Sequence, residues 1–176
     1  MSQTPTTAEG PVTNVTDFEL ARALEVASAV PDPEVPCVTV ADLGILRSVS
    51  RDESGQIVVR LTPTYSGCPA VIAIEMAVET ALLSARIDSR IERVMSPAWT
   101  TDWITDEGRE KLRAYGIAPP VGVSGGRRAF FAEDVIACPR CGSSHTTKVS
   151  EFGSTACKAH YRCDDCAEPF DYFKCI

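Results

Sequence analysis

Cys138-Pro139-Arg140-Cys141 and, after a spacer of 21 residues, Cys163-Asp164-Asp165-Cys166 decide how the end of this chain folds. Each Cys-x-x-Cys pair puts two thiolates on one tight turn, and two such turns supply the four soft ligands of a closed tetrahedral site. The spacer is one residue longer than the usual range for a zinc ribbon, which leaves the reading standing. Residues 138–176 form a module too small to hold together by burial alone, so metal-binding free energy becomes folding free energy there. Structural zinc on Cys138, Cys141, Cys163 and Cys166 is the preferred reading. A disulfide framework or a four-cysteine iron site would use the same residues and stays open. Cys157, Cys175, His145 and His160 are further donors in this module, but two intact pairs already fill a tetrahedral site.

Met1–Thr13 is polar, rich in Thr and Pro, and has neither the apolar core nor the basic start of a signal peptide. No stretch offers the ~18 unbroken apolar residues of a membrane span. A cytoplasmic protein with reduced thiols is expected. The 17 Lys and Arg against 24 Asp and Glu give a formal charge of -7, which disfavours nucleic acid as a partner and suits a protein or an anionic metal centre.

Working back from the knuckles, the 176 residues divide into a flexible lead (1–15), one domain of ordinary size (16–116), a linker (117–137) and the zinc ribbon (138–176). Thr16-Asp17-Phe18-Glu19 has the form of a capping box, and Leu20, Ala23, Leu24 and Ala27 then share one face of a helix running to about Ala29. Three prolines in Pro31-Asp32-Pro33-Glu34-Val35-Pro36 end that helix in a stiff loop carrying two carboxylates. Ile45–Ser50 and Gln56–Thr62 read as a hairpin. Val71–Leu83 reads as a buried helix, with Cys68 as its N-cap. Ile91–Met95 reads as a third strand, and Thr105–Tyr115 as a charged helix stopped by Gly116. The order α-β-β-α-β predicts an α+β two-layer domain with a small mixed sheet. Pro119-Pro120, Gly122, Gly125 and Gly126 show no sustained period and mark the linker.

Cys68, at a predicted helix N-terminus, sits where free N–H groups and the helix dipole favour a thiolate. Thr62, Thr64, Tyr65 and Ser66 surround it with hydroxyls in a loop able to admit a ligand. A small residue packed under a helix start is the competing reading. Asp32 and Glu34 are hard oxygen ligands or a base beside the thiol on one reading, and loop-solubilising or capping residues on the other. Cys37 lies among valines and reads as packing. Trp99 and Trp103 read as core residues or as interface anchors. No catalytic triad order, phosphate-binding loop or dinucleotide fingerprint is present.

Asp32-Pro33-Glu34-Val35-Pro36, Asp42-Leu43-Gly44-Ile45-Leu46 and Thr62-Pro63-Thr64-Tyr65-Ser66-Gly67-Cys68-Pro69 resemble the domain of SufT-like iron-sulfur cluster assembly factors. Ser150–Lys158, the second knuckle and Glu168–Ile176 resemble the PaaD family, the D subunits of the bacterial phenylacetyl-CoA epoxidase system. With Pro97–Trp103, the likeness runs from about Thr16 to Ile176. It implies an accessory, non-catalytic part in aerobic phenylacetate breakdown. In that pathway a di-iron oxygenase epoxidises the ring and an iron-sulfur flavin reductase supplies electrons. The resemblance further implies maturation of a metal centre in one of those proteins, through transient iron or an iron-sulfur cluster on Cys68 with Asp32 and Glu34. A stable structural subunit without a carrier role is the alternative, and an independent thiol oxidoreductase is weaker because no resolving cysteine adjoins Cys68.

Overall fold

The computed structural model describes residues 15–65, 67, 70–121 and 135–174. Helix α1 (Val15–Ser28) buries Ala23 and Ala27, while Leu24 is 47% exposed, so the buried face is narrower than the predicted one. The helix is already formed at Val15, which puts Thr16 inside it rather than at its cap. Glu19 pairs with Arg51 of the first strand.

Strands β1 (Leu46–Arg51) and β2 (Ile57–Leu61) form the expected antiparallel hairpin. Its turn is held by Asp52, whose Oδ1 accepts the N–H groups of Ser54 and Gln56. Helix α2 (Val71–Ser84) then crosses over to β3 (Ser89–Arg93), which pairs parallel with β2. The first sheet is therefore mixed, with order β1-β2-β3 and β2 in the centre. All of β2 except Arg60 is buried, as a middle strand under a helical layer requires.

Helix α2 has Ala70 at its N-cap with no side-chain hydrogen bond, so Cys68 precedes the cap position assigned to it. The helix is buried on one side only: Val71, Ile74, Val78 and Leu82 face the core, whereas Ile72, Met76 and Leu83 are exposed. Helix α3 (Asp106–Tyr115) is stopped by Gly116 as read, and Thr105 is its cap rather than its first residue, with Oγ1 accepting the Gly108 N–H at 2.9 Å.

The second sheet has four strands in the order β4-β7-β6-β5: β4 (Ile117–Ala118), β5 (Thr146–Ser150), β6 (Lys158–Cys163) and β7 (Pro169–Phe173). β5, β6 and β7 are antiparallel neighbours, and β4 pairs parallel with β7. Part of the segment read as a linker is thus a sheet edge, and two residues are too short to leave a period in the sequence. The sheet has its own small core, in which Tyr161 packs on Phe170 and Tyr172.

The two sheets are not beads on a string. Ile117, Cys157 and Phe173 of the second belong to the same buried cluster as Leu43, Ile45, Leu112 and Trp99 of the first. Trp99 lies 6.2 Å from Phe173 between ring centroids and donates its Nε1–H to the Leu43 carbonyl at 2.8 Å. Of the two readings of Trp99, the structure shows the core residue. Trp103 is half-buried, with the Arg47 guanidinium 3.5 Å above its ring. Among the described residues, no helix is long and apolar enough to cross a membrane.

Candidate functional site

Each knuckle turn is closed in the same way. Cys138 N–H donates to the Ser143 carbonyl at 2.8 Å, and Cys163 N–H donates to the Glu168 carbonyl at 2.9 Å. The fifth residue of each turn is left-handed: Gly142 at φ +76 in the first, Ala167 at φ +61 in the second. β6 ends in Cys163, so a sheet strand delivers the second knuckle to the first.

The four sulfurs converge. Cys138 and Cys166 are 3.8 Å apart, Cys141 and Cys163 are 3.5 Å apart, and all four lie within 4.8 Å of one another. A tetrahedron of sulfurs about 2.3 Å from a zinc ion has edges of about 3.8 Å, so the set fits that ion. Cys138 and Cys163 are buried, while Cys141 and Cys166 form the outer edge.

Electrostatics reinforces the fit. The Cys166 N–H holds the Cys163 thiol down to about 7, helped by the Asp165 N–H and against desolvation. The Glu168 N–H favours the Cys166 thiolate, but desolvation and the three neighbouring thiols outweigh it and push that thiol up to about 12. Four sulfurs this close cannot all ionise alone, and a dication at their centre removes the conflict. His145 and His160 stand outside the cluster beside Asp165 and Asp171, at 3.4 Å and 3.5 Å. Cys157 is buried, with Thr155 Oγ1 3.0 Å from its sulfur. Cys175 lies outside the described residues.

The carboxylates of the proline-rich loop are placed differently. Asp32 is buried, and its Oδ1 accepts the N–H groups of Glu34 and Val35, both at 2.8 Å. Asp32 N–H in turn donates to the Val38 carbonyl, closing the loop on itself. Glu34 is exposed. Thr62 and Thr64 are buried. Cys68 and Ser66 lie outside the described residues, and among those described the four ribbon cysteines are the one group placed to hold a metal.

Three features escaped sequence reasoning. Asp42 and Thr39 cap each other reciprocally: the Thr39 N–H meets Asp42 Oδ2 at 2.8 Å, and the Asp42 N–H meets Thr39 Oγ1 at 3.1 Å. Lys111 adds an ion pair at 2.9 Å. Burial alone would raise the Asp42 carboxyl, but the Thr39 N–H and Lys111 outweigh it and hold it below the usual range. The Thr-x-x-Asp spacing was the available signal. Second, Gly44 at φ +67 lets Trp103 approach so closely that a Cβ would meet its backbone oxygen at 2.6 Å.

Third, Lys158 of the ribbon is 3% exposed and pairs with Asp171 at 3.8 Å. Burial pushes the half-buried Cys37 thiol up, the Lys158 charge opposes this, and Asp32 adds to it. Ribbon lysine, loop carboxylate and Cys37 therefore share one electrostatic neighbourhood. Beside the same loop, an open apolar groove of about 790 Å³ runs between Val26, Val30 and Pro33 on one side and Met76 and Ala77 on the other.

Residues 20–92 match the family described as "Iron-sulfur cluster assembly protein", and residues 124–174 match "PaaD zinc beta ribbon domain". A protein of Escherichia coli K12 named as the D subunit of 1,2-phenylacetyl-CoA epoxidase is 52% identical over 150 residues, covering 85% of this chain and 88% of that one. Among solved structures, the crystal structure of a domain of unknown function, DUF59, from Bacillus anthracis aligns at a TM-score of 0.50 and 24% identity. It covers 55% of this chain and 92% of that one, and supports the fold of the first module.

Proposed function

Because the chain belongs to the family of phenylacetyl-CoA epoxidase D subunits, we propose that it is an accessory, non-catalytic component of such an epoxidase system and matures a metal centre in one of its proteins. In this reading the first module carries iron or an iron-sulfur cluster transiently on Cys68, with Asp32 and Glu34 beside it. The ribbon holds structural zinc on Cys138, Cys141, Cys163 and Cys166. Bound zinc would neutralise the thiolates and tie the two knuckles together. The client is the iron-sulfur reductase or the di-iron oxygenase, and the work is done in the cytoplasm, where thiols stay reduced.

The observation that carries this reading is the joining, in one chain, of an iron-sulfur assembly domain to the ribbon of this family. The groove beside the Asp32 loop, with Met76 exposed along α2, offers an apolar face to a protein client. The deciding experiment is anaerobic purification with client reconstitution, wild type against Cys68→Ala. Loss of metal from the client with zinc retained supports the carrier; unchanged client loading sinks it.

A second reading is a stable structural subunit. It is favoured by the buried cluster that joins ribbon and first module, and by the commitment of the Asp32 carboxylate to its own turn. It requires co-purification with the oxygenase at fixed stoichiometry, with or without Cys68.

A further inference from the structure

Besides the four thiols, the two knuckles are joined by side chains that ligate nothing. Ser143, just past the first knuckle, donates its hydroxyl to Asp165 Oδ2 at 2.5 Å. The same hydroxyl oxygen accepts the His145 N–H at 3.0 Å, and His145 Nδ1 lies 3.4 Å from Asp165 Oδ1. A second crossing runs beside the first: Asp164 N–H donates to the His145 carbonyl at 2.9 Å, and Thr147 Oγ1 donates to Asp164 Oδ2 at 2.8 Å. Asp164 and Asp165 are the two residues between Cys163 and Cys166, and the Ser143 carbonyl is the acceptor that closes the first knuckle.

We infer that Ser143 and Asp165 form a latch that holds the two knuckles in register for the metal, which makes them positioning residues of the four-cysteine site. An exposed polar contact elsewhere on a surface contributes little. This one acts between the two halves of a four-ligand site, where it removes freedom that the ion would otherwise have to restrict on binding. Its effect therefore falls on how tightly and how long the ion is held. The inference rests on the reading that zinc occupies the four cysteines.

The test is zinc release from the full-length, zinc-loaded protein to a chromogenic chelator, in wild type, Ser143→Ala, Ser143→Thr, Asp165→Ala and the Ser143→Ala/Asp165→Ala double variant. Each alanine variant is expected to release zinc about tenfold faster. The double variant should be no faster than either single one, because both remove the same contact. Ser143→Thr, which keeps the hydroxyl, should behave as wild type, and cobalt-substituted forms should all keep a four-thiolate spectrum. Release within about twofold of wild type in both alanine variants, or effects that multiply in the double, would overturn the latch. If Asp165→Ala does not fold, the contrast between Ser143→Ala and Ser143→Thr decides. Wild type that binds no zinc removes the zinc reading and the latch together, whereas zinc-bound wild type with indifferent variants removes the latch alone.

Discussion

The ribbon and the proline-rich loop hold their candidate ligands in opposite ways. In the ribbon, hairpin strands and two closed turns bring four sulfurs within 4.8 Å of one another. In the loop, Asp32 is occupied by two N–H groups of its own turn and Glu34 faces solvent. The difference separates four ligands that converge on one point from one carboxylate spent on its own turn and one turned to solvent. In the proposed function the ribbon is the stable site and the loop the exchanging one, because a carrier must release what it holds.

The largest effect should come from Cys163→Ser, which removes the most buried ligand. Zinc is expected to fall from one per chain to none, and the ribbon to lose its cooperative unfolding, measured by metal analysis and calorimetry. Trp99 emission should shift as Phe173 leaves its ring. Retention of zinc in this variant would break the comparison on the ribbon side. Phe173→Ala comes next, at about 3–4 kcal/mol, since it opens a cavity in the cluster shared by both modules. A single denaturation transition moving as a whole would show one cooperative body, and two separated transitions would show the modules melting apart.

Asp42→Asn should cost about 1.5 kcal/mol, because it keeps an oxygen for the Thr39 N–H but loses the charge-assisted contact with Lys111, whose amine reaches solvent. The Asp42 carboxyl is depressed in the folded state. Its contribution is therefore full above the ordinary carboxylate range near ~3.9 and is lost as pH falls through the lower folded value. Chemical denaturation between neutral and acid pH should show the wild-type decline flattened in Asp42→Asn; identical slopes would refute that role. A smaller effect sharpens the loop side of the comparison. Asp32→Asn keeps an acceptor for the Glu34 and Val35 N–H groups, whereas Asp32→Ala should lose about 1 kcal/mol by denaturant titration. If Asp32 also serves a metal, Asp32→Asn will lose iron loading while keeping stability.

How much of this was legible in the sequence follows the same division. The knuckles were readable because ligand identity and spacing are local and the chemistry tolerates few substitutes. The Gly116 stop of α3 and the β1–β2 hairpin were readable from local turn chemistry and β-branched runs. α2 was harder: with apolar residues on every side its pattern does not say which face is covered, and Ile72 and Met76 proved exposed. β4 was hidden because it takes its role from β7, far along the chain, and Lys158 because the burial of a lysine beside Asp171 leaves no local pattern. In the Asp32 loop both ligand and cap are legible for the carboxylates, and only the structure shows that Asp32 takes two N–H groups of its own turn.

The smallest effect compares the two knuckles with each other. They share their closing hydrogen bonds, but the left-handed position is Gly142 in one and Ala167 in the other. A Cβ at Gly142 would meet nothing within 4 Å, so Gly142→Ala tests backbone strain without a clash. It should cost about 1 kcal/mol. Ala167→Gly relieves the same strain, but glycine also gains freedom in the unfolded chain, so the expected stabilisation is only about 0.5 kcal/mol. Thermal unfolding of the zinc-loaded protein measures both. A destabilised Ala167→Gly would mean that the alanine methyl makes a contact worth more than the strain it carries, and the two turns would no longer be equivalent supports for the metal.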